Sequence, residues 1–143
     1  MKSLASILLI LLFVFSSCSV YPQKGWGPGS NYNRMYDVNT VETISGQVTK
    51  VDKIYPDNNM SYGIHLTLST TTGEISVHLG PGWFIENQDT EVNAGDNVTV
   101  TGSKVTYEGS EVIIAKEVTK GDEVLKLRDD NGFPLWSGWR NRR

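Results

Sequence analysis

The sequence predicts an all-β domain: a small five-stranded barrel with an extra hairpin at its C-terminal end. Three observations carry that expectation. Residues 61–79 alternate apolar and polar in two arms, Ile64, Leu66, Leu68 and then Ile75, Val77, Leu79, around a turn at residues 70–73, the period-2 pattern of half-buried strands. Gly46 and Gly102 interrupt two further alternating runs, as the bends of a small closed sheet require. Beyond the N-terminal region no segment shows a long apolar period of 3.6 residues, so helix contributes little.

Residues 1–17 read as a secretory signal, with Lys2 as the charged end and an unbroken apolar run over residues 7–15 that is too short to span a bilayer. Phe15-Ser16-Ser17-Cys18 resembles the lipobox, in which cleavage before the cysteine leaves that cysteine to carry the lipid. Ordinary cleavage after Ser19 also fits the small residues. On either path the single cysteine is lipidated or removed, which leaves the exported chain no disulfide, thiolate nucleophile or Cys-based metal site. From Cys18 onward 126 of the 143 residues remain, enough for one domain with one core. Leaving aside Lys2, Arg140, Arg142 and Arg143, residues 19–139 carry nine Lys or Arg against sixteen Asp or Glu, a formal balance of −7. Such a surface repels phosphate backbones.

Residues 18–40 are rich in Gly, Pro, Asn and aromatics and read as an extended tether from the membrane. Tyr32, Met35 and Tyr36 are expected against the barrel, because clusters of large apolar groups are seldom left in water. The barrel is assigned to residues 41–120. Its first strand, residues 42–54, carries Ile44, Gly46 and Val48 on one face, with Val51 following after a change of phase. A turn at residues 56–59 leads into the hairpin of residues 61–79. Centring the hairpin turn between Thr71 and Thr72 pairs Leu68 with Ile75, Leu66 with Val77, Ile64 with Leu79 and His65 with His78. Pro81 ends the third strand, and a short helical turn follows, with Trp83, Phe84 or Ile85 plugging the barrel end. Val98, Val100 and Gly102 begin the fourth strand, and Val105 appears on the wrong parity. Across a Glu108-Gly109 turn, Val105 faces Val112, and Gly102 faces Ile114 only if a β-bulge near Ser103 and Lys104 takes up one residue. Val118 closes the fifth strand. Residues 121–143 form a C-terminal hairpin around Asn131-Gly132, a strong turn signal, followed by Trp136, Trp139 and the basic tail. Five strands, a plug between the third and fourth, and glycine-marked bends in the first and fourth describe an OB-fold barrel. A small open sandwich has the same strand count and spacing.

At Tyr32-Asn-Arg-Met-Tyr-Asp, Thr43-Ile-Ser-Gly-Gln-Val, His78-Leu-Gly-Pro-Gly-Trp, Gly95-Asp-Asn-Val-Thr-Val-Thr-Gly and Leu127-Arg-Asp-Asp-Asn-Gly-Phe-Pro-Leu-Trp-Ser-Gly-Trp, the chain resembles a family of exported bacterial OB-fold proteins. Its members are often labelled DNA-binding, and the magnetosome proteins MamS and MamX have a similar domain. The resemblance implies the fold more than an activity, and the family offers no settled catalytic residues to carry over. MamX also has Cys-x-x-Cys-His haem-attachment motifs, which this sequence lacks. The resemblance further implies service near envelope redox or metal chemistry.

OB-folds commonly use the outer face of strands 2 and 3 as a ligand platform. Here that face is expected to show His65, Thr67, Ser69, Glu74, Ser76 and His78 to solvent, with no aromatic and no Lys or Arg. Nucleic-acid binding is therefore not expected, since it needs stacking groups beside positive charge. His65 and His78 are the only histidines, and opposed strand residues place their Cβ atoms about 4.5–5.5 Å apart. Two imidazoles can hold Cu or Zn, but zinc sites need three or four protein ligands. Glu74 lies about 13 Å from His78 along the strand. A third ligand would have to come from Asp57, Glu86 or Asp89. A solvated cross-strand pair, or one covered by the tail, fits the same residues. No cofactor is otherwise expected. Trp83, Phe84, Trp136 and Trp139 are candidates for stacking on an oligosaccharide or for closing the core. The terminal arginines fit a frayed end or contact with anionic lipid. Neither a Ser-His-acid constellation, nor a phosphate loop, nor paired carboxylates stand out, so an enzyme is not expected. The sequence thus predicts an exported, lipid-anchored binding or assembly module with the membrane and an envelope protein as partners. Metal handling through the histidine pair and oligosaccharide binding are the alternatives.

Overall fold

The structure, a computed structural model, describes residues 25–56 and 60–138. The signal segment, Cys18, Asp57, Trp139 and the basic tail lie outside the described residues. Six strands form one sheet: β1 (Val41–Ile54), β2 (Gly63–Thr70), β3 (Gly73–Pro81), β4 (Asn97–Tyr107), β5 (Ser110–Lys120) and β6 (Glu123–Lys126), with one short helix, α1 (Gly82–Ile85), between β3 and β4. The order is β3-β2-β1-β4-β5-β6, and β3 also pairs with β5. That extra pairing is parallel, over Ser76↔Val112, Val77↔Ile113 and His78↔Ile114. It closes the first five strands into the OB-fold barrel and removes the open sandwich from consideration. β6 pairs antiparallel with the far part of β5, from Glu117↔Lys126 to Lys120↔Glu123.

The hairpin register holds through most of its length, with Leu68↔Ile75, Leu66↔Val77 and His65↔His78 paired. It fails at Ile64, which pairs with Gly80 and not Leu79. Leu79 is the extra residue of a bulge, and the change of phase lets Leu79 and its neighbour His78 both be buried. In β1 the phase change before Val51 is likewise a bulge: Val48 pairs with Leu68 and Lys50 with Thr67. Thr49 is the extra residue. Gly46 instead marks a close approach, because a Cβ there would run into the Ser69 carbonyl oxygen.

The bulge expected at Ser103 and Lys104 lies elsewhere. Val105 does face Val112, but Thr101 pairs with Glu117 and Gly102 with Ala115, so the extra residue is Lys116 on β5. The Glu108-Gly109 turn has both residues at positive φ, 49° and 83°, the backbone of a two-residue hairpin turn whose twist matches the strands.

The interior is filled by Val48, Leu66, Leu68, Val77, Leu79, Val98, Val100, Ile113, Ala115 and Val118. Phe84 on α1 is the plug, buried at the barrel end, while Trp83 and Ile85 pack half-buried beside it. Its burial contributes about 1.5–3 kcal/mol. The C-terminal hairpin turns at Asn131-Gly132, closed by Gly132 N–H on Asp129 O, and Leu135 N–H donates to Leu127 O. Its Leu127 and Trp136 are fully buried.

Residues 25–40 run as turns and two short 3-10 turns, Asn33–Met35 and Val38–Thr40. They lie against the outside of the barrel. Trp26 is buried, and its carbonyl accepts the Trp136 indole N–H at 2.7 Å. The Ser103 hydroxyl accepts from Asp37 N–H and shares a hydrogen bond with Thr40 Oγ1, both at 2.9 Å.

Candidate functional site

The site forms where residues 25–36 meet the outer face of β2 and β3. Opposite positions in the two strands put His65 and His78 side by side. Their rings stack with centroids 3.6 Å apart and planes 8° from parallel. Tyr32 comes from the N-terminal segment, nearly parallel to His78 at 6.0 Å, with its hydroxyl hydrogen-bonded to His78 Nδ1 at 3.0 Å. Tyr107, at the end of β4, meets the His78 ring edge-on at 5.2 Å, and Trp26 meets Tyr32 edge-on at 5.5 Å.

This packing corrects the expectation at one end of the face: Ser69 and Glu74 are exposed and His65, Thr67 and Ser76 half-buried, but His78 is covered by aromatic rings that other segments bring. His78 is only 2% exposed. Burial holds its pKa down to about 3, helped by the neighbouring His65 and the Arg128 guanidinium. Burial also lowers His65 to about 4, opposed by Asp52, which pairs with it from β1. Tyr32 is raised to about 12 by burial, against the pull of Arg128. At neutral pH the stack is therefore uncharged. Ring lone pairs lie in the ring planes, so two parallel imidazoles cannot direct them at one ion, and a chelate across the pair requires one ring to leave the stack.

Arg128 is the buried cation behind this stack. Its Nη1 donates to Ala115 O at 2.5 Å and to Leu79 O at 3.5 Å, and its guanidinium lies 4.8 Å over the Trp136 ring. Its Nε and Nη2, together with the Tyr36 hydroxyl, have no hydrogen-bond partner among the described residues. Leu79 is the bulge residue of β3 and Ala115 precedes that of β5, so one guanidinium serves carbonyls at both irregularities. The Lys116 carbonyl in turn accepts from the N–H groups of Leu127 and Arg128.

Over the stack lies a groove of about 1250 Å³. Its floor is β2 and β3, with His65, Ser76 and His78, and Tyr55 and Met60 stand on the β1–β2 side. Tyr107 and Glu108 stand at the β4–β5 turn, and Trp26 and Tyr32 come from the N-terminal segment. Glu108 is the one Asp, Glu, Lys or Arg of its described lining. The two loops that flank it are those an OB-fold uses around its ligands.

The structure thus brings His65 and His78 together and leaves the other described candidates apart from them. Among the described residues no three His, Cys, Asp or Glu side chains cluster to hold a metal. Glu86 instead accepts the Tyr62 hydroxyl at 2.6 Å and pairs with Lys53. Phe84 and Trp136 are core residues and Trp83 is half-buried on α1. Cys18, Asp57 and Trp139 lie outside the described residues. Tyr55 and Tyr107 are the groove aromatics that strand-by-strand reading misses; their signal is position, one just after β1 and the other just before the Glu108-Gly109 turn.

A family model, the MamS/MamX magnetosome protein family, matches residues 40–125, more than half the chain. No curated protein matches significantly. Among solved structures, the N-terminal domain of the PriB protein from Thermoanaerobacter tencongensis is similar, at 15% identity and a TM-score of 0.43, over 59% of this chain and 99% of that one.

Proposed function

The chain belongs to the MamS/MamX magnetosome protein family, and from that membership we propose that it is a non-catalytic binding or assembly module of the bacterial cell envelope. In this reading residues 1–17 export it, Cys18 carries the lipid that holds it at the membrane, and the barrel presents its groove to an envelope partner. One observation carries the binding role: the groove of about 1250 Å³ over β2 and β3, walled by aromatic side chains on the loops flanking that face. Ligand sites are concave, mostly apolar and few per protein, with a small number of polar groups. A groove whose described lining holds Glu108 and no Lys or Arg supports a ligand other than a polyanion.

Two measurements test the proposal. Cys18→Ser is expected to move the chain from the membrane fraction to the soluble exported fraction and to abolish incorporation of labelled fatty acid. A photo-reactive residue replacing Tyr55 is expected to give a discrete adduct in intact cells, while one replacing the exposed Val124, outside the groove, gives none. Equal labelling at both positions, or none at Tyr55, overturns the binding role.

A further inference from the structure

We propose that the groove takes an uncharged oligosaccharide, with Tyr55 and Tyr107 as its stacking surfaces. The inference rests on the reading of the groove as the binding site and names the ligand class. Charge excludes one class first. Strands of nucleic acid and other polyanions are drawn by Lys and Arg lining a groove, and among the described lining residues the one Asp, Glu, Lys or Arg is Glu108. The two imidazoles of the floor add no positive charge near neutral pH.

The strand edges exclude another class. An extended peptide gains affinity by adding to a free sheet edge. β2 is paired on both sides, with β1 and β3. β3 is paired on both sides over Ser76–His78, with β2 and β5. The floor offers no main chain to a peptide. A saccharide needs none: its apolar ring faces stack on aromatic side chains, and its hydroxyls bond to short polar groups.

Both kinds of group are present. Tyr55 is 74% exposed, with the Tyr62 ring tilted against it at 5.7 Å, and it stands on the same groove as Tyr107. Tyrosine supplies a rigid, amphipathic surface with few rotamers to freeze. Asn31, Ser76, Ser110 and Glu108 supply amide, hydroxyl and carboxylate groups along the lining. The volume of about 1250 Å³ exceeds the usual pocket for one small molecule, about 300–1,000 Å³, and suits a chain of several rings.

The test is calorimetric titration of the detergent-solubilised full chain with cellohexaose and with chitohexaose, beside an oligo-dT of ten nucleotides. Saturable binding of at least one hexasaccharide is expected, unchanged between low and high salt, with no binding of the oligonucleotide. Tyr55→Ala and Tyr107→Ala are each expected to weaken it by roughly three- to tenfold, and Phe133→Ala, an exposed ring outside the groove, to leave it unchanged. Because Tyr107 also packs on His78, the surface variant Tyr55→Ala is the one that decides. Failure of both sugars to bind, or binding indifferent to Tyr55→Ala, overturns the proposal. If the sugars fail while the Tyr55 position still gives its adduct in cells, only the ligand class falls. If that adduct is also missing, the groove itself is not the binding site.

Discussion

His78 shows how one residue draws its properties from chain segments far away in sequence. Tyr32 supplies the hydrogen bond to its Nδ1, in a site almost closed to water. Tyr32→Phe leaves that nitrogen without its partner and is expected to cost about 1–3 kcal/mol in urea denaturation. Tyr36→Phe is expected to act in the opposite direction, raising stability by about 1 kcal/mol, because the Tyr36 hydroxyl is buried without a hydrogen bond among the described residues. The histidine pair also sets a pH dependence. Folding lowers both pKa values from 6.5, to about 4 for His65 and about 3 for His78, so below pH 6.5 the unfolded chain binds more protons than the folded one. Stability from these groups is full above about pH 6.5 and is lost as the pH falls toward 4 and then 3. The His65→Gln, His78→Gln double variant is expected to flatten the pH dependence of the urea midpoint in that window. An unchanged slope would show that the rings are not buried as described.

At the level of elements, the bulges do more than curve the sheet. Each sets a side chain on a face that strict alternation would deny it, and two of them set out carbonyls that Arg128 then satisfies. Gly102 is the position where this geometry is tightest: a Cβ there would collide with the Ile114 carbonyl and approach the Ala115 Cα to 2.8 Å. Since both obstacles are backbone, Gly102→Ala is expected to destabilise by roughly 1–3 kcal/mol, with a lower urea midpoint as the readout. Much of this level is legible in the sequence. The phase change before Val51 announces a bulge, whereas the wrong parity of Val105 announces none in β4, which has no extra residue and turns Val105 to the face opposite Val98 and Val100. The bulge at Lys116 of β5 is not legible, because an apolar pattern does not say which of two paired strands holds the extra residue. Leu79 is harder still, since a bulge beside Gly80 lets the apolar alternation continue on paper while the register has already changed.

For the whole molecule, the two ends of the described chain lock each other. Trp136 is fully buried in the core cluster beside Phe84 and donates to the Trp26 carbonyl, and Trp26 packs edge-on against it at 6.3 Å. Trp136→Ala is expected to cost about 3–5 kcal/mol. Hydrogen exchange should show Met35 and Tyr36, whose amides bond within the first 3-10 turn, losing protection in the same variant. A loss of stability without that change would mean that residues 25–36 are held independently of the C-terminal hairpin.

By itself the sequence determined the all-β class, the hairpin register through His65 and His78, the turns at Glu108-Gly109 and Asn131-Gly132, and the helical plug. Each of these follows from period-2 alternation or from turn chemistry within a few residues. It also limited the chemistry of the β2–β3 face, which carries no Lys or Arg. Only the tertiary structure decided that this face is buried at His78, walled with tyrosines and backed by a guanidinium. Tyr32, Tyr107 and Arg128 reach it from 46, 29 and 50 positions away, and nothing in a local pattern says which distant segment will cover an outer strand face. That choice is made by the close packing of particular side chains, which is a property of the folded molecule.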